Sequence, residues 1–497
     1  MADSKERQQK VPLRAAHSSG TERFVRRLSG SSGYQWMHII GIVGILILVV
    51  ATVINFARPA AHAATGDWPT YLGNDARTGF NGAETILNPN TASKLKMHWE
   101  NSSGSLMTTE PIVANGMIYW GTWDGLEHAT DPSSGKDVWV TNLGQETGCT
   151  KHPHGVFSSA TFAQVPIQGV TTPVIFVGGG NVQLYALNAN TGSILWKTAL
   201  GMPPSFIYSS PLLFNGSVYI GLSSYNDCPE VQGQLIQVNA STGAIQHTFN
   251  IVPNGCMGGG VWGSPAIDDA TGMLYFATGD LGHCSTAEPL VSAVVEVQAS
   301  DLSLVGSWQV PGLKLSDNYD FGDTPTLYQT SIGGASRSML GIINKNGTYY
   351  AFDRTNISAG PVWQTQLANP GGSPDTGQGS ISSSAWDGTN LYVAGAATTI
   401  NSKNCPGSIQ ALNPANGTIL WQTCVGKDVL AAVIAVPGLV IVGAGPNIFV
   451  IDASTGKKLF TFHDTTTGGS SFWAAASISN GILYAGGTDG NLYAFGL

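Results

Sequence analysis

Across residues 66–497 apolar positions come in short bursts cut by Gly, Asn, Asp and Pro, such as Gln183-Leu-Tyr-Ala-Leu187 and Ile448-Phe-Val-Ile451. These runs are too short for amphipathic helices and rich in β-branched and aromatic residues, so they predict strands. The composition agrees: charged residues make up 11% of the 497 positions, too few to wet the outer faces of long helices, while glycine is abundant at 63.

The bursts recur with a turn between them. Asn188-Ala-Asn-Thr-Gly192-Ser-Ile-Leu-Trp196 returns as Asn413-Pro-Ala-Asn-Gly417-Thr-Ile-Leu-Trp421, as Asp131-Pro-Ser-Ser-Gly135-Lys-Asp-Val-Trp139 and as Asp452-Ala-Ser-Thr-Gly456-Lys-Lys-Leu-Phe460. A fifth copy, Asn239-Ala-Ser-Thr-Gly243, carries His247 in the aromatic place. Asn or Asp bonds its own backbone along the turn, and glycine takes the positive φ a tight turn demands. The ring four residues beyond the glycine emerges on one face of the next strand and can dock on a neighbouring sheet.

One small sheet cannot bury its own faces, so such units must stack. Seven units are expected near 109–143, 158–200, 209–250, 263–313, 323–367, 381–425 and 430–462. An eighth, 472–497, stops after Asn491-Leu-Tyr-Ala-Phe495 without its last strand, and Lys94-Leu-Lys-Met-His-Trp99 has that strand's character. The chain ends can thus complete one sheet and close a ring, which removes open edges. The predicted fold class is all-β, an eight-bladed β-propeller with one N-terminal transmembrane helix; seven blades result if one unit has been divided in two.

The N-terminal region differs. Residues 1–35 hold seven basic and three acidic side chains, leaving 15 basic and 28 acidic groups in the rest, a net −13. An acidic body lacks the cationic footprint that nucleic acid requires, so nucleic acid is excluded as a partner. Residues 39–56 form an uncharged apolar run of bilayer length behind the basic segment, which places a cytoplasmic disordered segment at 1–35 and a signal-anchor at 36–57. A linker at 58–65 then leads to the propeller, 66–497, on the extracytoplasmic side of the cytoplasmic membrane. Ala61-His62-Ala63 fits cleavage of a signal peptide, the competing reading, and both export the body.

All six cysteines (149, 228, 256, 284, 405, 424) lie in that exported part, without CxxC or zinc spacing, which points to disulfides. Six cysteines allow 15 connectivities; Cys405–Cys424 is the preferred pair because both fall in one repeat. His152 and His154 flank Pro153 in a loop and read as exposed.

The repeat resembles that of pyrroloquinoline-quinone (PQQ) dependent dehydrogenases and of their non-catalytic relatives, including the barrel-assembly lipoprotein of bacterial outer membranes. Longer stretches resemble the alcohol-oxidising members, particularly polyvinyl-alcohol dehydrogenases. They are Asp67-Trp-Pro-Thr-Tyr-Leu-Gly73, Gly260-Val-Trp-Gly-Ser-Pro-Ala-Ile-Asp268, Leu274-Tyr-Phe-Ala-Thr-Gly-Asp280, Asp317-Asn-Tyr-Asp-Phe-Gly-Asp-Thr-Pro325 and Asn344-Lys-Asn-Gly-Thr-Tyr-Tyr-Ala-Phe-Asp353.

The resemblance implies PQQ on the propeller axis, with Trp262 as the aromatic floor beneath the quinone. It implies Asp280 as an oxygen ligand of Ca²⁺ and Lys345 as the cation beside a quinone carbonyl. Each has a structural alternative: blade packing for Trp262, a turn cap for Asp280, a solvated hairpin residue for Lys345. The family's catalytic Asp is expected after Thr-Gly-Asp, where this chain reads Leu281-Gly-His-Cys-Ser-Thr-Ala-Glu288, leaving Glu288 or His283 as substitutes. A second Ca²⁺ carboxylate follows paired serines in the family; after Ser223-Ser224 comes Tyr225-Asn226, with Glu230 as the nearby candidate. Asp317, Asp320 and Asp323 read as loop residues that turn the chain. No CxxCH haem site is present, so an enzyme of this kind would need a separate electron acceptor. Its substrate would be a small alcohol or a sugar; the alternative is a non-catalytic scaffold for a protein or cell-envelope partner.

Overall fold

The computed structural model describes residues 66–497 apart from 147, 149–152, 226, 285–287, 313–317 and 467–469. The segments at 1–35, 36–57 and 58–65 lie outside the described residues, as do Cys149, His152 and Asp317. Among the described residues no helix is long and apolar enough to cross a membrane.

Among the described residues eight antiparallel blade sheets follow one another along the chain, seven of them four-stranded and the third five-stranded, so the count is eight and not seven. Blade 1 runs from Ile112–Ala114 to Asp137–Asn142 and blade 2 from Thr161–Ile167 to Ile194–Ala199. Blades 3 to 7 occupy 212–250, 266–309, 326–366, 385–424 and 434–463. In blade 8 the N-terminal strand Lys96–Ser102 pairs antiparallel with Asn491–Gly496, Lys96 opposite Gly496 and Ser102 opposite Asn491. The ends of the chain close the ring as the truncated last repeat required, and the joint leaves no sheet edge between first and last blades.

Burial falls from the first strand of a blade to the fourth. Ile112–Ala114 is wholly buried, whereas Ile245–Asn250 is exposed at most positions. The fourth strands therefore form the rim, and there the repeat's turn and ring do their packing. Indole Nε1 of Trp99, Trp139, Trp196, Trp363 and Trp421 donates to Pro132, Ala189, Ala240, Pro414 and Ala453 carbonyls, each on the following blade, at 2.9–3.0 Å. The turn glycine of that next blade faces the ring so closely that a Cβ at Gly192 would lie 2.6 Å from Trp139. Asn188, Gly192 and Trp196 are thus spaced to make one blade both receptor and donor. The interface needs glycine for its positive φ of 71° and for the missing side chain alike.

Near the axis a different device joins the blades. Two residues before each first strand, backbone N–H groups donate to the neighbouring blade's hydroxyl: Glu110 to Ser159, Ser159 to Ser210, Ser210 to Ser264, Ser264 to Thr324 and Thr324 to Ser383, all at 2.8–3.0 Å. These amides are buried and would otherwise be unpaired at a costly site. Ala432 and Ala475 hold the equivalent places in blades 7 and 8, where this belt stops.

Among the described residues two disulfides form, Cys405–Cys424 as expected and Cys256–Cys284 besides. His154 departs from the sequence reading: it is buried, its ring 3.9 Å from Tyr225 and 5.0 Å from Trp123, because aromatic neighbours from adjacent blades converge on its loop.

Candidate functional site

One register position builds the axial mouth. Four residues before each blade's first strand stand Thr108, Phe157, Tyr208, Trp262, Gly322, Ile381, Leu430 and Trp473. All eight are half-buried while both chain neighbours of each are buried, so each blade offers one residue to the mouth. They meet from blade to blade: Phe157 and Tyr208 rings lie 5.2 Å apart, Tyr208 and Trp262 6.4 Å, and the Trp262 ring leans into the space Gly322 leaves. Trp123 bridges Thr108, through Nε1 to Oγ1 at 2.9 Å, to Phe157 at 4.5 Å. Blades 1 to 4 therefore give an aromatic wall, completed by Phe206 and Tyr225.

Charge gathers where that wall ends. Lys345 Nζ lies 2.5 Å from Asp320 Oδ1, and Trp262 Nε1 donates to Asp320 Oδ2 at 3.1 Å. The ammonium sits 5.0 Å from the Trp262 ring centroid and donates to Asn318 Oδ1 at 3.2 Å. Lys345 is 7% exposed and Asp320 3%, so both are withdrawn from water and neither is a solvated hairpin residue nor a mere turn-former.

The backbone explains the placement. Lys345 rides the tight turn after Ala335–Ile343, and the Asn344 amide donates to Tyr319 and Asp320 carbonyls at 2.9 and 3.0 Å. Asp323, equally buried, accepts the Ile343 N–H at 2.8 Å. Its carboxyl is pushed well above the ordinary range by burial, and it braces this turn from below.

Two further carboxylates face the pair. Burial, then the charges of Asp320 and Asp227, raise Asp280 to about 6 against the pull of Lys345. Asp227 is raised in the same way by desolvation, then by Asp320 and Glu230, although its residue surface is largely exposed. Glu230 accepts or shares a proton with His283 Nδ1 at 3.1 Å, the imidazole itself almost fully exposed. Asp320 thus pairs directly with the ammonium while Asp227 and Asp280 feel its charge, an arrangement with surplus negative charge and hard oxygen donors.

Of the residues predicted from sequence, Trp262, Lys345, Asp280 and Glu230 belong to this neighbourhood, with His283 on its outer edge. Glu288 lies beside the disulfide, its Oε1 3.4 Å from Cys284 Sγ, and its carbonyl accepts from Gln309. Cys256, Cys284 and Glu288 cluster like a metal site, but the two sulfurs are bonded to each other and offer no thiolates. Two members of the cluster carry no clear signal in the sequence: Asp227 stands three places after Ser224, just beyond Tyr225-Asn226, and Asp320 lies in a loop whose acids look like turn-formers. Away from the axis a cleft of about 830 Å³ opens beside blade 5, lined by Trp308, Tyr350 and Gln366 and reaching Tyr319 and Asn346, the chain neighbours of Asp320 and Lys345.

Blade number, rim docking and axial register define a propeller of the PQQ-repeat class. The profile of the family described as outer membrane protein assembly factor BamB matches residues 125–288 and 345–497, and the chain belongs to that PQQ-repeat family. It is 24% identical to a polyvinylalcohol dehydrogenase of Pseudomonas sp, over 79% of this chain and 68% of that protein. It is 27% identical to quinohemoprotein alcohol dehydrogenase ADH IIB of Pseudomonas putida, over 63% of this chain but only 49% of the other. The solved quinohemoprotein alcohol dehydrogenase of Comamonas testosteroni superposes with a TM-score of 0.70 at 18% identity, covering 88% of this chain and 81% of that one, a likeness of fold.

Proposed function

We propose that this protein is a membrane-anchored, extracytoplasmic quinoprotein-type dehydrogenase that oxidises an alcohol or sugar hydroxyl at the axial mouth. The observation that carries this reading is the convergence of Trp262, Lys345, Asp320 and Asp280 from blades 4 and 5 and their loops. The residues fit the cofactors of its dehydrogenase relatives. Half-buried Trp262 offers a flat aromatic surface to a planar quinone, Lys345 a cation for its carbonyl oxygens, and Asp227, Asp280 and Glu230 oxygen donors for Ca²⁺. PQQ, when bound, supplies the two-electron sink for hydride from an alcohol carbon, and Ca²⁺ the positive charge beside it.

The remaining work falls to the chain. The aromatic wall excludes water from the carbon being oxidised. Lys345 and the Trp262 indole hold the Asp320 carboxylate in place, and that carboxylate is the group set to accept the hydroxyl proton. Asp320 takes this role over Glu288 and His283 because it alone of the three touches both Trp262 and Lys345. Electrons leave to a separate acceptor.

A second reading, an exported binding scaffold, draws on the family profile's own description and on the aromatic wall. One experiment separates them: PQQ is titrated with Ca²⁺ into the purified full-length chain in detergent, and dye reduction is followed with simple alcohols. Tight binding with turnover, lost in Trp262→Ala and Lys345→Met variants that keep their melting temperature, supports the dehydrogenase. Absence of binding sinks it and leaves the scaffold.

A further inference from the structure

Three short segments meet beside the axial cluster. Gly258 N–H donates to the Val231 carbonyl and Gly233 N–H to the Gly258 carbonyl, both at 2.9 Å. On the other side Met257 N–H donates to the His283 carbonyl at 3.0 Å, Gly282 N–H to Met257 at 3.2 Å and Gly259 N–H to Asp280 at 2.7 Å. Segment 257–259 is therefore the middle member of a small backbone patch, flanked by 231–233 and 281–283.

Each segment leads directly into the site. Glu230 precedes the first, Trp262 follows the second, and Asp280 precedes the third. Glycine stands where the backbones touch: a Cβ at Gly233 would collide with the Gly259 carbonyl, one at Gly258 with the Gly282 nitrogen, and one at Gly282 with the Glu230 carboxylate. Leu281 packs partly against the neighbouring apolar cluster, but the glycines at the contact points add no side chains of their own and lose more freedom on ordering than any other residue. A backbone hydrogen bond contributes little net of the water bonds it replaces, so a few of them are by themselves weak fasteners.

A covalent fastener stands at its edge. Cys256 adjoins the middle segment and Cys284 the third, and the two are bonded across 28 residues of chain. We infer that the Cys256–Cys284 disulfide is a positioning cross-link for the cation site: it fixes the glycine patch and so sets the relative places of Glu230, Trp262 and Asp280. The other disulfide serves as an internal control. Cys405–Cys424 ties the side hairpin Thr398–Ile400 and Lys403–Cys405 to the outer strand of blade 6, on different elements altogether.

The inference deepens the reading of the axial cluster as a Ca²⁺ site, and the test keeps the two apart. Calcium chloride is titrated by calorimetry into the full-length chain, into Cys256→Ser/Cys284→Ser and into Cys405→Ser/Cys424→Ser. Amide hydrogen exchange at Gly258, Gly259 and Gly282 is followed in all three without calcium. The expected result is calcium affinity at least about 10-fold weaker and faster exchange at those three amides in the first variant only. Equal affinity and equal exchange in parent and first variant would overturn the inference. A parent that binds no calcium removes the cation reading, and exchange alone then decides: unchanged protection overturns the positioning role, lost protection upholds it.

Discussion

Replacing Asp280 by Asn tests the electrostatics of the axial cluster. In the folded protein the Asp280 carboxyl is raised to about 6 by burial and by Asp320 and Asp227, from an ordinary value of 3.8. A carboxyl with a raised folded value binds protons more tightly in the folded chain than in the unfolded one. Its stability contribution is therefore intact below pH 4 and lost as pH climbs through 6. About two pH units correspond to about 3 kcal/mol, which solvent screening at a partly exposed group reduces to about 1 kcal/mol. Asp280→Asn keeps the shape and removes the charge. In chelator at pH 7.5 the variant should be more stable by about 1 kcal/mol, seen as a melting temperature higher by about 1–3 °C. At pH 4 the two proteins should melt together. Calcium titration should show the opposite sign, affinity weakened about 10- to 100-fold, since one full negative charge has left the donor set. A variant less stable than the parent at pH 7.5 in chelator, or a gap equal at both pH values, would refute the argument.

Calcium affinity of the parent should itself weaken as pH falls from 7 to 5, tracking protonation of Asp280; a flat profile by calorimetry would contradict its assignment as a ligand. Glu110, which accepts the Leu72 N–H at 2.6 Å, is raised to about 8 by burial. It should cost stability progressively from pH 4.5 to 8.5, up to about 4 kcal/mol, and melting curves of Glu110→Gln should be flatter over that range. Gly192→Ala forces a Cβ onto the Trp139 ring at a positive φ and should cost about 2–3 kcal/mol by denaturant unfolding, with PQQ binding unaltered once folded. Full stability in that variant would show that rim docking is not what the repeated glycine serves.

The ring was legible because its signal is repeated and local. Asn188, Gly192 and Trp196 lie within nine residues, and their copies state the same physics several times. Blade closure could be read because the last repeat lacks a strand that Lys96–Ser102 supplies. The hydroxyl belt went unread, since single residues such as Ser159, Ser210 and Thr324 sit in segments that look like ordinary strand entrances. The site was half legible for a related reason. Trp262 and Lys345 sit in long distinctive stretches, but Asp320 and Asp227 acquire meaning only from contacts 25 to 118 residues away in sequence: Lys345 Nζ is 2.5 Å from Asp320, and Asp227 feels Asp320 and Lys345. Short carboxylates in Asp/Asn-rich loops look alike in a one-dimensional string, whether they turn a chain or hold a cation.

The energetic direction of these residues bears on the choice between enzyme and scaffold. Blade cohesion comes from apolar clusters shared by adjacent blades, from the rim indoles and from the inner hydroxyls, none of which uses the axial charges. Asp227 and Asp280 are carboxylates held above their ordinary range, hence burdens on the folded state at neutral pH. A ring serving only as a scaffold gains nothing from crowding them beside Asp320, and neutral amides of equal size would make it more stable. Strain that the fold does not need is characteristic of sites with work to do. Three acids facing one ammonium beneath an aromatic wall are a liability to the empty ring and an asset once a divalent cation and a planar, electron-accepting ligand are bound. The chemistry of the cluster therefore favours the dehydrogenase over the scaffold.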